Sequence, residues 1–203
     1  NLIIRNTTLG QRMLIVVFAY DDKDKIQKLM DALKDRFPEI TSLNYVINEK
    51  YNDTIYDREV VTWHGDPFIV EQLKNVKYKI GPKSFFQTNP KQAEVLFDIA
   101  LEYADLKPTD NVYDLYTGLG SIALYIADKV GHVTGIEEIP EAIEDARINM
   151  EFNHIKNATF YAGDVKDILN LDFIAKHGNP DVVITDPPRQ GMHEDVVQTL
   201  LKL

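Results

Sequence analysis

The chain has 203 residues, 44% of them apolar, enough for a real core in one or two domains. Twenty-two basic against 32 acidic residues give a net charge of −10, which excludes a surface that coats nucleic acid nonspecifically throughout. It contains no cysteine and no run of 18 apolar residues, which excludes a disulfide, a thiolate nucleophile and a membrane-spanning helix within this sequence. The missing cysteines, and the lack of a signal-peptide pattern behind Asn1, fit a reducing compartment, with the cytoplasm expected.

In chain order, residues 12–20 read as a strand, and Ile26, Leu29, Met30, Leu33 and Phe37 fall at helical spacing over residues 23–37, which Pro38 ends. Strand-like runs follow at 40–48 and 59–63, so residues 1–76 are expected to form a small α/β domain. Asn89-Pro90 signals a helix over 90–104, with Ala93, Leu96, Phe97, Ala100 and Ala104 on one face. Strands at 111–116, 132–137, 158–162 and 180–186 then alternate with helices at 120–130, 140–153, 165–176 and 192–203. Ala142, Ile143, Ala146 and Met150 form the inward side of the second of these helices. This alternation predicts right-handed crossovers and a parallel sheet with a ligand crevice at its carboxyl edge. The fold class is α/β, a Rossmann-like sheet over 77–203 behind the small domain. The chain stops inside a predicted helix, so a fragment cut before the last strands is expected.

The segment Asp114-Leu115-Tyr116-Thr117-Gly118-Leu119-Gly120-Ser121 leaves a strand and opens a helix, and its glycines allow close approach of a ligand. Glu137 ends the next strand, 19 residues after Gly118, where an acid can bind both ribose hydroxyls of a nucleoside. A glycine turn alone is as readily a tight strand–helix connection. Asp164 and Asp186 end the third and fourth strands, so four acids converge with Asp114 and Glu137; the competing reading is that each caps the next helix. No Lys or Arg lies between Asp114 and Tyr125. Such a site repels the pyrophosphate of NAD and attracts the ammonium and sulfonium of S-adenosylmethionine.

Asp186-Pro187-Pro188-Arg189 makes a stiff strand exit that could hold a base against a methyl donor. Methyltransferases of exocyclic amines carry an aromatic residue where Arg189 stands, which argues against amine methylation. Upstream, Lys74, Lys77, Lys79, Lys83 and Lys91 fall in an acid-free stretch with Phe85 and Phe86. Lys77, Lys79, Lys83 and Lys91 are candidate RNA contacts, while the two phenylalanines are expected in the core. The five histidines show no metal-ligand spacing, and Ser84 and Ser121 lack a Ser-His-acid context. His154 and His177 are expected in solvated positions at helix ends.

Taken together, Ser84-Phe85-Phe86-Gln87-Thr88-Asn89, the Asp114–Gly120 turn, Gly135-Ile136-Glu137, Ala146-Arg147-Ile148-Asn149 with Asn153, Gly163-Asp164 and Asp186–Gly191 resemble the RNA uracil-5-methyltransferases. These S-adenosylmethionine enzymes make 5-methyluridine in transfer or ribosomal RNA. The resemblance covers residues ~77–191, and residues 1–76 resemble the family's central domain more loosely. It implies cofactor contacts from Gln87, Tyr116, Ser121, Glu137 and Asp186, with Asp164 near the adenine. Asp114, Gly118 and Gly120 complete the candidate site. Ser121 stands where relatives often have Asn, and Thr117 where many have Cys. The family's cysteine nucleophile and its base lie downstream of Asp-Pro-Pro-Arg, and neither occurs in these 203 residues, so no catalytic residue is expected here. Neither the RNA-binding barrel of many members nor the iron–sulfur cysteines of some is expected within these 203 residues. An NAD-dependent oxidoreductase and a non-catalytic nucleoside-binding module are the rival readings.

Overall fold

The computed structural model describes residues 1–50 and 52–203, and they divide into two compact units. The first comprises Asn1–Gln72 and Lys79–Ser84, the second Leu73–Tyr78 and Phe85–Leu203.

In the first unit, β1 (Leu2–Asn6), β2 (Arg12–Phe18), β3 (Ser42–Ile47) and β4 (Val60–Gly65) form a sheet in the order β1-β2-β3-β4. β2 and β3 are parallel and the outer pairs antiparallel. The parallel pair needs a crossover, which α1 (Lys23–Arg36) supplies, capped by Asp22 accepting from the Lys25 N–H at 3.1 Å. Ile26 and Met30 of α1 pack on Leu14, Val16 and Leu43 of the sheet. Two features of this unit carry no signal in the hydrophobic pattern. β1 is a half-exposed edge strand, and the buried Ser42 and Asn44 are satisfied by each other and by Thr62.

β5 (Ile69–Leu73) and β6 (Val76–Ile80) form a two-stranded ribbon whose sequence is shared between the units. It too escapes the sequence pattern. Its turn is built by Lys74 in the left-handed region (φ 48°) with no glycine at all.

In the second unit, β7 (Asn111–Leu115), β8 (His132–Glu137), β9 (Ala158–Ala162) and β10 (Val182–Thr185) make a fully parallel sheet in the order β10-β7-β8-β9. The chain order reverses direction across β7, so the exits of β7 and β10 flank a topological switch point, with that of β8 next to it. Around the sheet lie α2 (Pro90–Ala104), α3 (Ser121–Ile126), α4 (Pro140–Phe152), α5 (Val165–Ile168), α6 (Leu171–His177) and α7 (Glu194–Leu200). Tyr113, Leu115, Ile136, Val165, Leu169, Ile174 and Val196 close one core.

Several expectations are corrected. The continuous helix expected over 165–176 is two short helices, because Asn170 turns its side chain to the Phe173 N–H (2.9 Å) and starts a second helix. The helix expected over 120–130 ends at Ile126 and tightens into a 3₁₀ turn, Ala127–Lys129. The last helix begins only at Glu194, with His193 as its cap. On α2 only Ala93 and Phe97 are buried, and Leu96, placed on the inward face by spacing, is 57% exposed. Phe85 is 68% exposed rather than in the core, whereas Phe86 is half-buried with its ring 5.4 Å from that of Tyr78. His177 is half-buried and stacks on Phe173 with ring centroids 4.4 Å apart, so it is not a solvated helix end.

Candidate functional site

β7 brings Asp114 to the carboxyl edge of the second sheet with its side chain buried. Tyr116 follows in the left-handed region at φ 65°, a conformation that costs a non-glycine residue about 1 kcal/mol or more. Its N–H and that of Thr117 both donate to the carbonyl of Ile136, at 2.9 and 3.1 Å. The turn is thereby folded down onto β8. Gly118 and Gly120 continue at positive φ, which explains the glycines. A Cβ on Gly120 would press on Phe160, Ala146 and Leu124 at 3.2–3.3 Å, so this glycine serves packing. A Cβ on Gly118 would meet nothing within 4 Å, so this glycine faces open space.

Carboxylates take the amide hydrogens of Gly118 in the turn, of Ala123 in α3 and of Ile139 before α4. Glu137 Oε2 accepts from the Gly118 N–H at 3.0 Å, and its Oε1 accepts from the Ile139 N–H at 3.1 Å. Asp114 Oδ2 accepts from Thr117 Oγ1 at 2.5 Å and from the Ala123 N–H at 3.0 Å. Asp114 Oδ1 is buried and has no partner among the described residues. Burial pushes the Asp114 carboxyl up to about 7 against the pull of these two donors, and the charges of Asp186 and Glu137 push the same way. Their charges on Asp114 place it in the field of both acids.

The remaining candidates differ in kind. Asp164 caps α5, accepting from the Lys166 N–H at 3.1 Å, and pairs with Lys166 Nζ at 2.7 Å. The capping reading is therefore the one seen for Asp164, and its hydrogen bond to Lys166 holds its carboxyl below the usual range. Its charge still reaches Tyr116, whose hydroxyl is raised by burial first and then by Asp164 and Glu138. Asp186 is exposed directly after β10. Ser121 is the first residue of α3, and its carbonyl accepts from the buried Tyr78 hydroxyl at 2.8 Å. Gln87 lies half-buried on the segment leading into α2.

Other residues of the quoted motifs make supporting contacts that their motifs do not foretell. Thr117 is buried and fixes one oxygen of Asp114. Asn153, at the end of α4, holds Lys77 by both backbone groups: Oδ1 accepts from its N–H at 2.8 Å, and Nδ2 donates to its carbonyl at 2.6 Å. Arg147 donates to the Phe160 carbonyl at 2.9 Å, tying α4 to β9. The candidate lysines are split: Lys77 and Lys91 lie exposed in the second unit, Lys79 and Lys83 half-buried in the first. Lys79 sits 4.7 Å over the ring of Phe68. Among the described residues no group of three or more His, Cys, Asp or Glu could hold a metal, and no helix is long and apolar enough to cross a membrane.

Comparison with known proteins bears on the same part of the chain. Residues 106–200 match a family described as a methyltransferase domain. The chain is 56% identical to an uncharacterized RNA methyltransferase of Porphyromonas gingivalis over 98% of its own length and 43% of the relative's. It is 50% identical to another from Bacteroides thetaiotaomicron, over 99% and 45%. The chain thus spans less than half the length of the curated relatives it matches. Among solved structures, the tRNA (uracil-54, C5)-methyltransferase of Pyrococcus abyssi in complex with S-adenosyl-L-homocysteine superposes with a TM-score of 0.78. That match has 29% identity over 99% of this chain and 46% of that one. The Rossmann-like methyltransferase fold expected from the sequence is the fold observed.

Proposed function

We propose that residues 77–203 hold S-adenosylmethionine in the crevice around Gly118, and that residues 1–76, which precede them in the sequence, are a small α/β domain. In this reading the chain is part of a cytoplasmic enzyme that methylates carbon 5 of a uridine in ribosomal or transfer RNA. One observation carries the cofactor reading: the amide hydrogens of Gly118 in the turn and of Ala123 in α3 are directed to Glu137 and Asp114, not outward. A pyrophosphate needs those donors and would sit among acids. A ligand that brings its own positive charge needs neither. The residues present fit such a group. Asp114 has an oxygen without a donor, and Gly118 leaves open space for close approach.

When bound, S-adenosylmethionine supplies an electrophilic methyl group on a sulfonium. The chain's residues would do the holding. Glu137 keeps free acceptor capacity for ribose hydroxyls, since each of its oxygens accepts one amide bond in the protein. Asp164, already fixed as a helix cap, would lie toward the adenine. Tyr116, Ser121, Gln87 and Asp186 would line the rest, and Lys77, Lys79, Lys83 and Lys91 would meet RNA phosphates. The uridine assignment is supported by the matched motifs and by the 29% identity to the Pyrococcus enzyme across 99% of this chain. Isothermal titration with S-adenosyl-L-homocysteine and with NAD tests the cofactor reading. Heat from the first alone is expected; heat from NAD alone overturns it.

A further inference from the structure

We propose that ligand binding in this crevice expels a proton from Asp114: the side chain holds a hydrogen until a cationic group lies beside it, and then ionises. The proposal rests on the cofactor reading above and extends it to how the site is regulated by pH.

The surroundings of Asp114 are the argument. The residue is 1% exposed. Two donors serve Oδ2, whereas the buried Oδ1 has none among the described residues. A carboxylate with one such oxygen lacks part of the solvation it would have in water, and removing water from an anion is costly unless a counter-charge replaces it.

Among the described residues, the charges that act on Asp114 from the elements around it are those of acids. Glu137 at the end of β8 and Asp186 after β10 are both acids whose charge disfavours ionisation of Asp114. Tyr78 of β6 also feels Asp114, but burial drives its hydroxyl far above the ordinary range, so it stays neutral, and it donates to the Ser121 carbonyl. Thr117 and the Ala123 N–H, from the turn and α3, offer dipoles only. The stretch from Asp114 to Tyr125 holds no Lys or Arg.

A carboxyl pushed up to about 7 is roughly half protonated at neutral pH. An ammonium brought by the ligand is the charge the site lacks, and it stabilises the ionised form alone. On binding, the O–H bond of Asp114 breaks, the electron pair stays on the carboxylate and the proton passes to the buffer. No redox change is involved. By linkage, affinity then rises with pH below the midpoint of Asp114 and levels off above it.

The test is calorimetric titration of S-adenosyl-L-homocysteine into the full chain, in buffers of matched pH and different ionisation enthalpy. Near pH 6 the ligand's own amine stays charged, so any released proton comes from the protein. Release of close to one proton near pH 6, about half a proton near pH 7 and almost none near pH 8.5 is expected. Thr117→Val removes a donor to the ionised form, so its release should persist to higher pH. Asp114→Asn should bind without buffer dependence near pH 6. Identical heats in all buffers near pH 6, or full proton release by Asp114→Asn, would overturn the coupling while leaving the cofactor reading intact. No binding by the unsubstituted chain at any pH overturns the cofactor reading and the coupling with it. If Asp114→Asn does not bind, the unsubstituted chain and Thr117→Val decide the matter.

Discussion

Glu137 divides its carboxylate between the glycine turn after β7 and the chain entering α4, one oxygen to each. Glu137→Ala therefore removes a ribose acceptor and two backbone anchors together. Each charge-assisted bond is worth roughly 1.5–3 kcal/mol, so affinity for S-adenosyl-L-homocysteine should fall about 10- to 100-fold. Glu137→Gln keeps one oxygen and should fall between. Titration of the three proteins checks this, and unchanged affinity in Glu137→Ala would remove the residue from the ribose role. Asp114 makes a second prediction, on stability. Its folded carboxyl titrates at about 7, above the unfolded value near 4. The folded state thus holds the proton more tightly, and stability falls as pH rises across that window, then levels off. Urea denaturation at pH 5 and pH 8 should differ by on the order of 2–3 kcal/mol from this group, and the difference should shrink in Asp114→Asn. A difference of the same size in the variant would assign the effect elsewhere.

Among the elements, β6 and α4 are joined by the Asn153 side chain. The Asn153 amide mimics a strand partner for Lys77, accepting from its N–H and donating to its carbonyl. Asn153→Ala strips both groups, and thermal or urea unfolding should register a loss of roughly 1–3 kcal/mol. A neutral result would mean water replaces the clamp. The sequence marks Asn153 as part of a motif but not as a clamp, because the partner is 76 residues away. The same limit separates what could be read in advance from what could not. The four parallel strands, the turn and Glu137 are legible because periodicity and glycine spacing are local. β1, β5 and β6 are not, since their patterns are short or half-exposed and their partners distant. Leu96 was misplaced because helical spacing names a stripe without saying how much of it is covered. Of the candidate site, the strand-end positions of the acids can be read from the sequence; Thr117 as a support of Asp114 and the strained Tyr116 emerge only once the turn is folded onto Ile136.

For the whole molecule, chemistry and charge set the expectations. Carbon 5 of uracil is a poor nucleophile until a group adds at carbon 6, and a chain with no cysteine has no thiolate to add. These 203 residues alone should transfer no methyl group from labelled cofactor to a uridine-containing RNA, even while binding the cofactor. Robust transfer would overturn the covalent route and turn attention to amine or ribose methylation. With a net charge of −10, RNA affinity should be weak and should fall as salt rises, because any contact at Lys77–Lys91 releases counterions.

The sheet that carries the crevice is unevenly secured. β7 is buried from Val112 to Leu115 and lies between two neighbours. β10 has only four residues, all half-buried, and among the described residues pairs with β7 alone. Its closure also joins residues about 70 positions apart, as in Val182 opposite Val112. Short, half-covered edge strands open locally at a fraction of the free energy of global unfolding. In amide hydrogen exchange the backbone of β10 should therefore lose protection well before that of β7. Because Asp186 follows directly, a ligand held there would tax every opening of the strand. Saturating S-adenosyl-L-homocysteine should slow exchange in β10 more than in β9, at the opposite edge. Equal slowing of both edges would mean that Asp186 and its strand take no part in holding the ligand.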